Sequence, residues 1–220
     1  MKKDQIFGFA VLLILQSYLI ISCGQKSDNS YFPLRESSEY KYLSNFGEFT
    51  AEVRGQRLID KFETTQIAYL FPDETKFFYY VKTDSGVFNI AEESQKTASL
   101  KVYEVPKTIF KLPLEVGKLW RYKDEISGNE FDISAEIASV NDTVSVRAGT
   151  YYNCLRIDYS AQKQKNFGVL FGSGTLKLKG SNWYAQGIGR IKVTRKTSSN
   201  HMMFGTGDKF DMELVEFIKK

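Results

Sequence analysis

From residue 30 onward the chain alternates between apolar and polar positions. In "EFDISAEIASV" (130–140), Phe131, Ile133, Ala135 and Ile137 fall on every second position, the period that lays one side of a strand against a core. The segments "TKFFYYVKT" (75–83), "TVSVRAG" (143–149), "CLRIDYS" (154–160), "TLKLKG" (175–180) and "RIKVTRK" (190–196) are rich in β-branched and aromatic residues. Turn signals punctuate them at Asp84-Ser85-Gly86, Ser127-Gly128-Asn129, Asn141-Asp142, Gly172-Ser173-Gly174 and Gly187-Ile188-Gly189. No segment carries an apolar stripe of helical period over three turns. The pattern predicts an all-β fold: an antiparallel meander of a dozen or so strands forming a curved sheet, a sandwich or a partly closed barrel.

Two stretches echo each other. "FPLRESSEYKY" (32–42) and "LPLEVGKLWRY" (112–122) align without gaps, bringing Pro33 onto Pro113, Leu34 onto Leu114, Tyr40 onto Trp120, Lys41 onto Arg121 and Tyr42 onto Tyr122. The aromatic-basic-aromatic triplet starts a strand with both rings on one face. The expected organisation is a single β domain over 31–220, built from two related units at 31–105 and 110–220 that share one sheet.

The chain opens differently. Lys2 and Lys3 precede an apolar run from Ile6 to Ile21, interrupted by Gln16 and Ser17. That is short of the about 20 apolar residues a spanning helix needs, and has the parts of an export leader. The leader ends in Ile20-Ile21-Ser22-Cys23, which resembles the lipobox of bacterial lipoproteins, although that pattern prefers Leu at the position of Ile20 and Ala or Ser at that of Ile21. The resemblance implies that residues 1–22 are a lipoprotein signal peptide and that Cys23 carries a diacylglycerol. It also implies acylation of the new amino terminus (palmitate), a stable membrane anchor, and a place in the cell envelope at the outer membrane. Residues 23–30, "CGQKSDNS", then read as a lipidated, flexible tether.

A second resemblance covers roughly residues 110–195. "LPLEVGKLWRY", "VSVRAGTYYNCLRIDY" and "NWYAQGIGRIKV" are similar to motifs of a loose group of uncharacterised, exported, β-rich bacterial lipoproteins. The group implies fold and location and carries no established activity. By analogy it resembles the half-barrel sheets of lipoprotein carriers, whose concave face holds acyl chains.

Composition adds little chemistry. The net charge of +4 falls to +3 without the leader, and implies neither nucleic acid nor any other particular partner. With Cys23 lipidated, Cys154 is the remaining thiol, so no disulfide forms and the core must hold the fold. Cys154 sits in a strand pattern as a small buried residue, and His201 is the single histidine; neither a Cys/His nucleophile nor a zinc-site spacing is present. "GSGT" (172–175) reads as a glycine hairpin rather than a phosphate loop. The glycines of "AQGIGRIKV" serve a bulge or tight bend before a strand. No metal, no cofactor and no enzymatic activity is expected.

Charge distribution says more. Residues 159–207 contain no Asp or Glu and eight basic side chains. Strict alternation sets Lys177 with Lys179, and Arg190 with Lys192 and Lys196, on single faces. This is either a solvated outer face protected from edge pairing by lysine, or a surface for anionic lipid or glycolipid. The expected function is a lipid-anchored, non-catalytic binding protein for an apolar or anionic envelope ligand; the alternative is a structural or assembly lipoprotein with an envelope protein partner.

The leader generates one direct expectation. Protein from cells partitions into detergent and incorporates labelled palmitate, and Cys23→Ala does neither; a mutant that still partitions would leave the uncleaved leader as the anchor.

Overall fold

The computed structural model describes residues 30–166, 172–201 and 207–219, so the leader, Cys23 and the tether up to residue 29 lie outside the described residues. Twelve strands follow one another: β1 (Glu39–Ser44), β2 (Gly47–Ile59), β3 (Phe62–Leu70), β4 (Thr75–Thr83), β5 (Gly86–Ser94), β6 (Ser99–Lys111), β7 (Leu119–Ile126), β8 (Asn129–Val146), β9 (Gly149–Asn166), β10 (Ser173–Ala185), β11 (Gly189–Ser199) and β12 (Lys209–Ile218). They form one antiparallel sheet in the order β6-β5-β4-β3-β2-β1-β12-β11-β10-β9-β8-β7. Among the described residues there is no α-helix. The first and last strands pair in the middle of the sheet, and the free edges belong to β6 and β7, neighbours in sequence. The sheet curls until these edges meet, giving a nearly closed barrel, one of the three architectures left open by the sequence.

Side chains close the seam. The Trp120 indole N–H donates to the Thr108 carbonyl oxygen at 3.1 Å, buried. Beside it the Lys107 ammonium on β6 pairs with Asp124 on β7, and Lys101 lies 3.6 Å from Glu125. Both edges thereby gain partners without a backbone ladder, which removes the hazard of an open edge.

Two local features occur in both halves of the sheet. β1–β6 and β7–β12 both open with the echoed motif, Tyr40 in β1 and Trp120 in β7, each buried. β6 continues to Lys111, past the expected unit boundary at residue 105. In β4 and β5, Tyr79 faces Ala91 and Tyr80 faces Asn89, with Ile90 bulged out. In β10 and β11, Trp183 faces Lys192 and Tyr184 faces Arg190, with Ile191 bulged out. An aromatic pair opposite a bulged isoleucine thus recurs at the same place in both halves. Each bulged isoleucine is buried.

The long hairpin of β8 and β9 differs from the sequence expectation. Asn141-Asp142 is not a turn but lies inside β8, where the register with β9 slips three times. Polar side chains satisfy the irregularity: the Asn141 N–H donates to Ser139 Oγ at 3.2 Å, and Asp142 accepts from Arg156 and from the Trp183 indole at 3.1 Å each. The turn comes instead at 146–149, within the segment expected to be a strand, where Gly149 has φ 136°. These bulges carry the hairpin tip past β10 and β11 to β12, where the Ala148 N–H donates to the Leu214 carbonyl at 3.0 Å. Val144, Cys154, Leu155, Ile191 and Leu214 are buried there.

The segment before β1 stoppers one end of the barrel. Phe32 inserts with ring centroids 5.0 Å from Tyr80, 6.3 Å from Phe110 and 6.2 Å from Tyr184. The Gly187 N–H bonds to the Ser30 carbonyl at 2.9 Å, in the turn where Gly187 and Gly189 have φ of 74° and 109°. Removing the Phe32 ring should cost about 3–5 kcal/mol. Trp120→Phe, which keeps the ring but orphans the Thr108 carbonyl, should cost about 1–3 kcal/mol. Urea unfolding midpoints check both, and an unchanged midpoint for Trp120→Phe would show that the seam contributes nothing.

Candidate functional site

The curl of the sheet leaves its concave face incompletely filled. A cavity of about 520 Å³ lies inside the barrel, lined by residues from every strand except β1. Roughly 300–1,000 Å³ is usual for small-molecule sites. Phe49, Phe78, Ile157, Val193 and Met212 supply apolar wall, and Tyr69, Tyr80, Tyr122, Tyr159 and Tyr184 line the rest. Gly180 makes room for one of these: a Cβ there would fall 2.3 Å from the Tyr159 ring. Phe32 packs behind Tyr80 and Tyr184 at one end, and the lumen runs from that end toward the turns at 44–47, 70–75, 94–99 and 126–129.

Most charges facing the lumen are paired among themselves. Lys107 pairs with Asp124 and stands 4.0 Å from Glu92, Lys101 bridges Glu92 and Glu125, and Lys76 lies 3.3 Å from Glu74. Two arginines of β11 are not. Arg190 Nη2 donates to the Tyr69 hydroxyl at 2.7 Å, with the guanidinium 5.7 Å over that ring, and the Tyr42 hydroxyl donates to the Arg190 carbonyl at 2.8 Å. Arg195 lies 4.9 Å over the Phe210 ring. Among the described residues, neither has a carboxylate within 4.0 Å.

Burial works against the charge of Arg190, while the phenols of Tyr69, Tyr184, Tyr42 and Tyr80 hold its pKa above the ordinary value. Three of them, Tyr42, Tyr80 and Tyr184, are uncharged at neutral pH. Burial pushes Tyr42 and Tyr80 well up, and Tyr184 up to about 12. The half-buried guanidinium thus faces the lumen with phenol dipoles and rings, rather than a carboxylate, as its protein neighbours. Across the barrel Asn89 occupies the position equivalent to Arg190 opposite the repeated bulge. It is 4 % exposed, and its Oδ1 has no hydrogen-bond partner.

The sequence-predicted basic group divides. Lys177, Lys179, Lys192 and Lys196 stay outside, Lys192 over the Trp183 ring at 5.6 Å. Arg190 points the other way, into the lumen, because the bulge at Ile191 breaks the alternation that had set it beside Lys192 and Lys196. The outer group is also less purely cationic than its sequence: Lys179 pairs across to Lys196 and Lys196 to Lys209, but Glu136, Asp158 and Asp211 line the same groove. The sequence singled out Arg190 as part of a surface group, not its inward direction, and did not single out Asn89. The available signal was the adjacent aromatic pairs, "YY" at 79–80 and "WY" at 183–184, which demand cover on both faces.

Cys154 is 0 % exposed and its thiol donates to the Tyr151 carbonyl at 3.5 Å. Burial, followed by the charge of Asp142, pushes the thiol up to about 11. Cys154 lies near the stoppered end and His201 beyond the end of β11, on the order of 25 Å away along the strands. Among the described residues no group of three His, Cys, Asp or Glu side chains is placed to hold a metal.

The buried phenols set an alkaline limit. Tyr159 and Tyr184 are each pushed up to about 12 by burial, against about 10 in the unfolded chain. Above pH 10 the unfolded chain loses these protons first. The stability is therefore complete below that pH and is lost as pH climbs through 12. The urea midpoint should fall between about pH 9 and pH 11, and fall less in Tyr184→Phe; equal falls would place the alkaline sensitivity elsewhere.

No protein family and no curated protein matches this chain. Two solved structures are similar in outline: a candidate lipoprotein from Parabacteroides distasonis, 13 % identical, covering 86 % of this chain and 98 % of that chain with a TM-score of 0.43; and a candidate exported protein with a YmcC-like fold from Bacteroides fragilis, 14 % identical, covering 86 % and 98 % with a TM-score of 0.42. The fold assignment rests on the strand pairing described above.

Proposed function

We propose that this chain is a lipid-anchored protein of the cell envelope, held at the outer membrane by a diacylglycerol on Cys23, without catalytic activity, that binds a small amphiphile inside its barrel. One observation carries the reading: a lumen of about 520 Å³ walled by rings and aliphatic side chains from nearly the whole sheet. A core packed for stability alone fills such a space. The alternative of an assembly lipoprotein calls for a contiguous apolar outer patch. Of the large exposed apolar residues, Leu100, Val102 and Val105 share β6 and Leu119 begins β7, while Phe46, Leu58 and Tyr152 stand apart from them on other parts of the sheet; the seam edge is the face such a partner would use.

The anchor and the lumen face opposite ways. Ser30, where the tether joins, is bonded at the stoppered end, so the lumen points away from the membrane that holds Cys23. The lysines 177, 179, 196 and 209 lie toward that far end, where β9 and β11 end and β10 and β12 begin. They are thus set to meet anionic molecules arriving from the other side rather than the anchoring membrane.

The test is photolabelling of the mature protein in zwitterionic nanodiscs with a diazirine-bearing alkyl alcohol, mapped by peptide mass spectrometry. Labelling is expected on lumen residues of β4, β11 and β12 and should fall at least fivefold in Val193→Phe, which fills the lumen. Labelling confined to the outer face, or unchanged in a folded Val193→Phe, would remove the reading.

A further inference from the structure

The walls of the lumen explain an apolar occupant, but its floor does not. An apolar ligand would leave the Arg190 guanidinium facing hydrocarbon with one bond, to Tyr69, and would bury Asn89 Oδ1 without any partner. Both groups belong to the same structural device, the residue opposite the second aromatic of a pair and just before a bulged isoleucine, once in each half of the sheet. The device turns that residue inward. In one half it presents a donor fork, in the other an amide whose Nδ2 end is engaged by the Tyr80 hydroxyl and whose Oδ1 end is free. Two polar groups of opposite hydrogen-bonding sense thus lie at the stoppered end, beside Tyr80 and Tyr184; above them Phe49, Phe78, Val193 and Met212 form an apolar side of the lumen, and the paired charges of Glu92, Lys107 and Asp124 form the side at the seam.

Charge gives the sign of what fits there. Each carboxylate that lines the lumen is close to a lysine, whereas Arg190 and Arg195, both on the inner face of β11, have no carboxylate partner among the described residues. The unmatched charge inside the barrel is positive. A guanidinium fork takes carboxylate or phosphate oxygens in pairs, and such charge-assisted bonds are about twice as strong as neutral ones.

We propose that Arg190 is the head-group anchor of the lumen: the ligand is a single-chain amphiphile with an oxyanion head, carboxylate or phosphate, which sits on Arg190 at the stoppered end with its chain along the tyrosine wall, and Arg195 draws the same head in from the open side. Where the head also carries a hydroxyl, as a protonated phosphate does, Asn89 Oδ1 accepts it. This rests on the lumen-binding reading above, and deepens it by naming the chemistry of the head.

The same photolabelling in nanodiscs compares a diazirine fatty acid with its methyl ester, which share a chain and differ in charge. In wild type the acid should label lumen peptides at a concentration at least tenfold lower than the ester. Arg190→Met should bring the acid to the level of the ester and leave the ester unchanged. Arg190→Lys should keep part of the preference, because it keeps the charge and loses the fork. Arg195→Gln, which disturbs no hydrogen bond of the floor, gives a second reading should Arg190→Met fail the circular dichroism check, and should cut the preference severalfold. Inorganic phosphate at the same concentration as the acid should not displace it; displacement by phosphate alone would mean that a free oxyanion, not an amphiphile, is the ligand. Equal labelling by acid and ester in wild type, or a preference that survives both arginine substitutions, overturns the anionic head while leaving the lumen occupied. Labelling of the lumen by neither probe removes the lumen reading itself, and the head-group anchor with it.

Discussion

A single sheet of twelve strands has two edges, and everything about this molecule follows from their meeting. The Trp120 indole reaches the Thr108 carbonyl, Lys107 reaches Asp124, and the curl needed to bring β7 alongside β6 turns one face of every strand inward. Backbone pairing of β1 with β12 joins the two halves in the middle, so among the described residues the ring is closed by side chains at the seam between β6 and β7. An open sheet would expose its concave face and both edges; a closed one has an interior whose volume the side chains need not fill.

That interior explains an otherwise costly choice. Arg190 is half-buried, and desolvating a charge without a counter-charge is destabilising; a methionine or leucine at 190 would line the lumen beside Tyr69, Tyr80 and Tyr184 without that cost. The phenols relieve part of it by hydrogen bonding and by presenting the negative face of their rings. Residual mismatches of this kind concentrate where a ligand completes the structure. Phe32 then closes the end of the barrel at which these polar groups stand, packing against Tyr80 and Tyr184.

Strand content was legible because alternation reports burial directly: Phe131, Ile133, Ala135 and Ile137 all proved buried, as did Cys154. The turns at 84–86, 127–129 and 187–189 followed from glycine and small polar residues. What misled was the assumption that alternation runs unbroken. Asn141-Asp142 carries turn residues, yet Arg156 and Trp183 from neighbouring strands satisfy Asp142 and keep the chain extended. Ile191 is the same lesson with larger consequences: one bulged residue sends Arg190 to the opposite face from Lys192. Bulges are set by pairing between strands, and no local pattern in "GRIKV" announces one. The choice among curved sheet, sandwich and barrel was equally out of reach, because it depends on whether distant edges meet.

The account stands or falls on what occupies the barrel in the cell. The direct measurement is native mass spectrometry of the mature protein released from its own membranes, with the bound mass fragmented and identified. The account predicts one anionic single-chain amphiphile per protein, retained in wild type and lost in Arg190→Met. A protein that emerges with an empty barrel, or with neutral lipid retained equally by both forms, would contradict it.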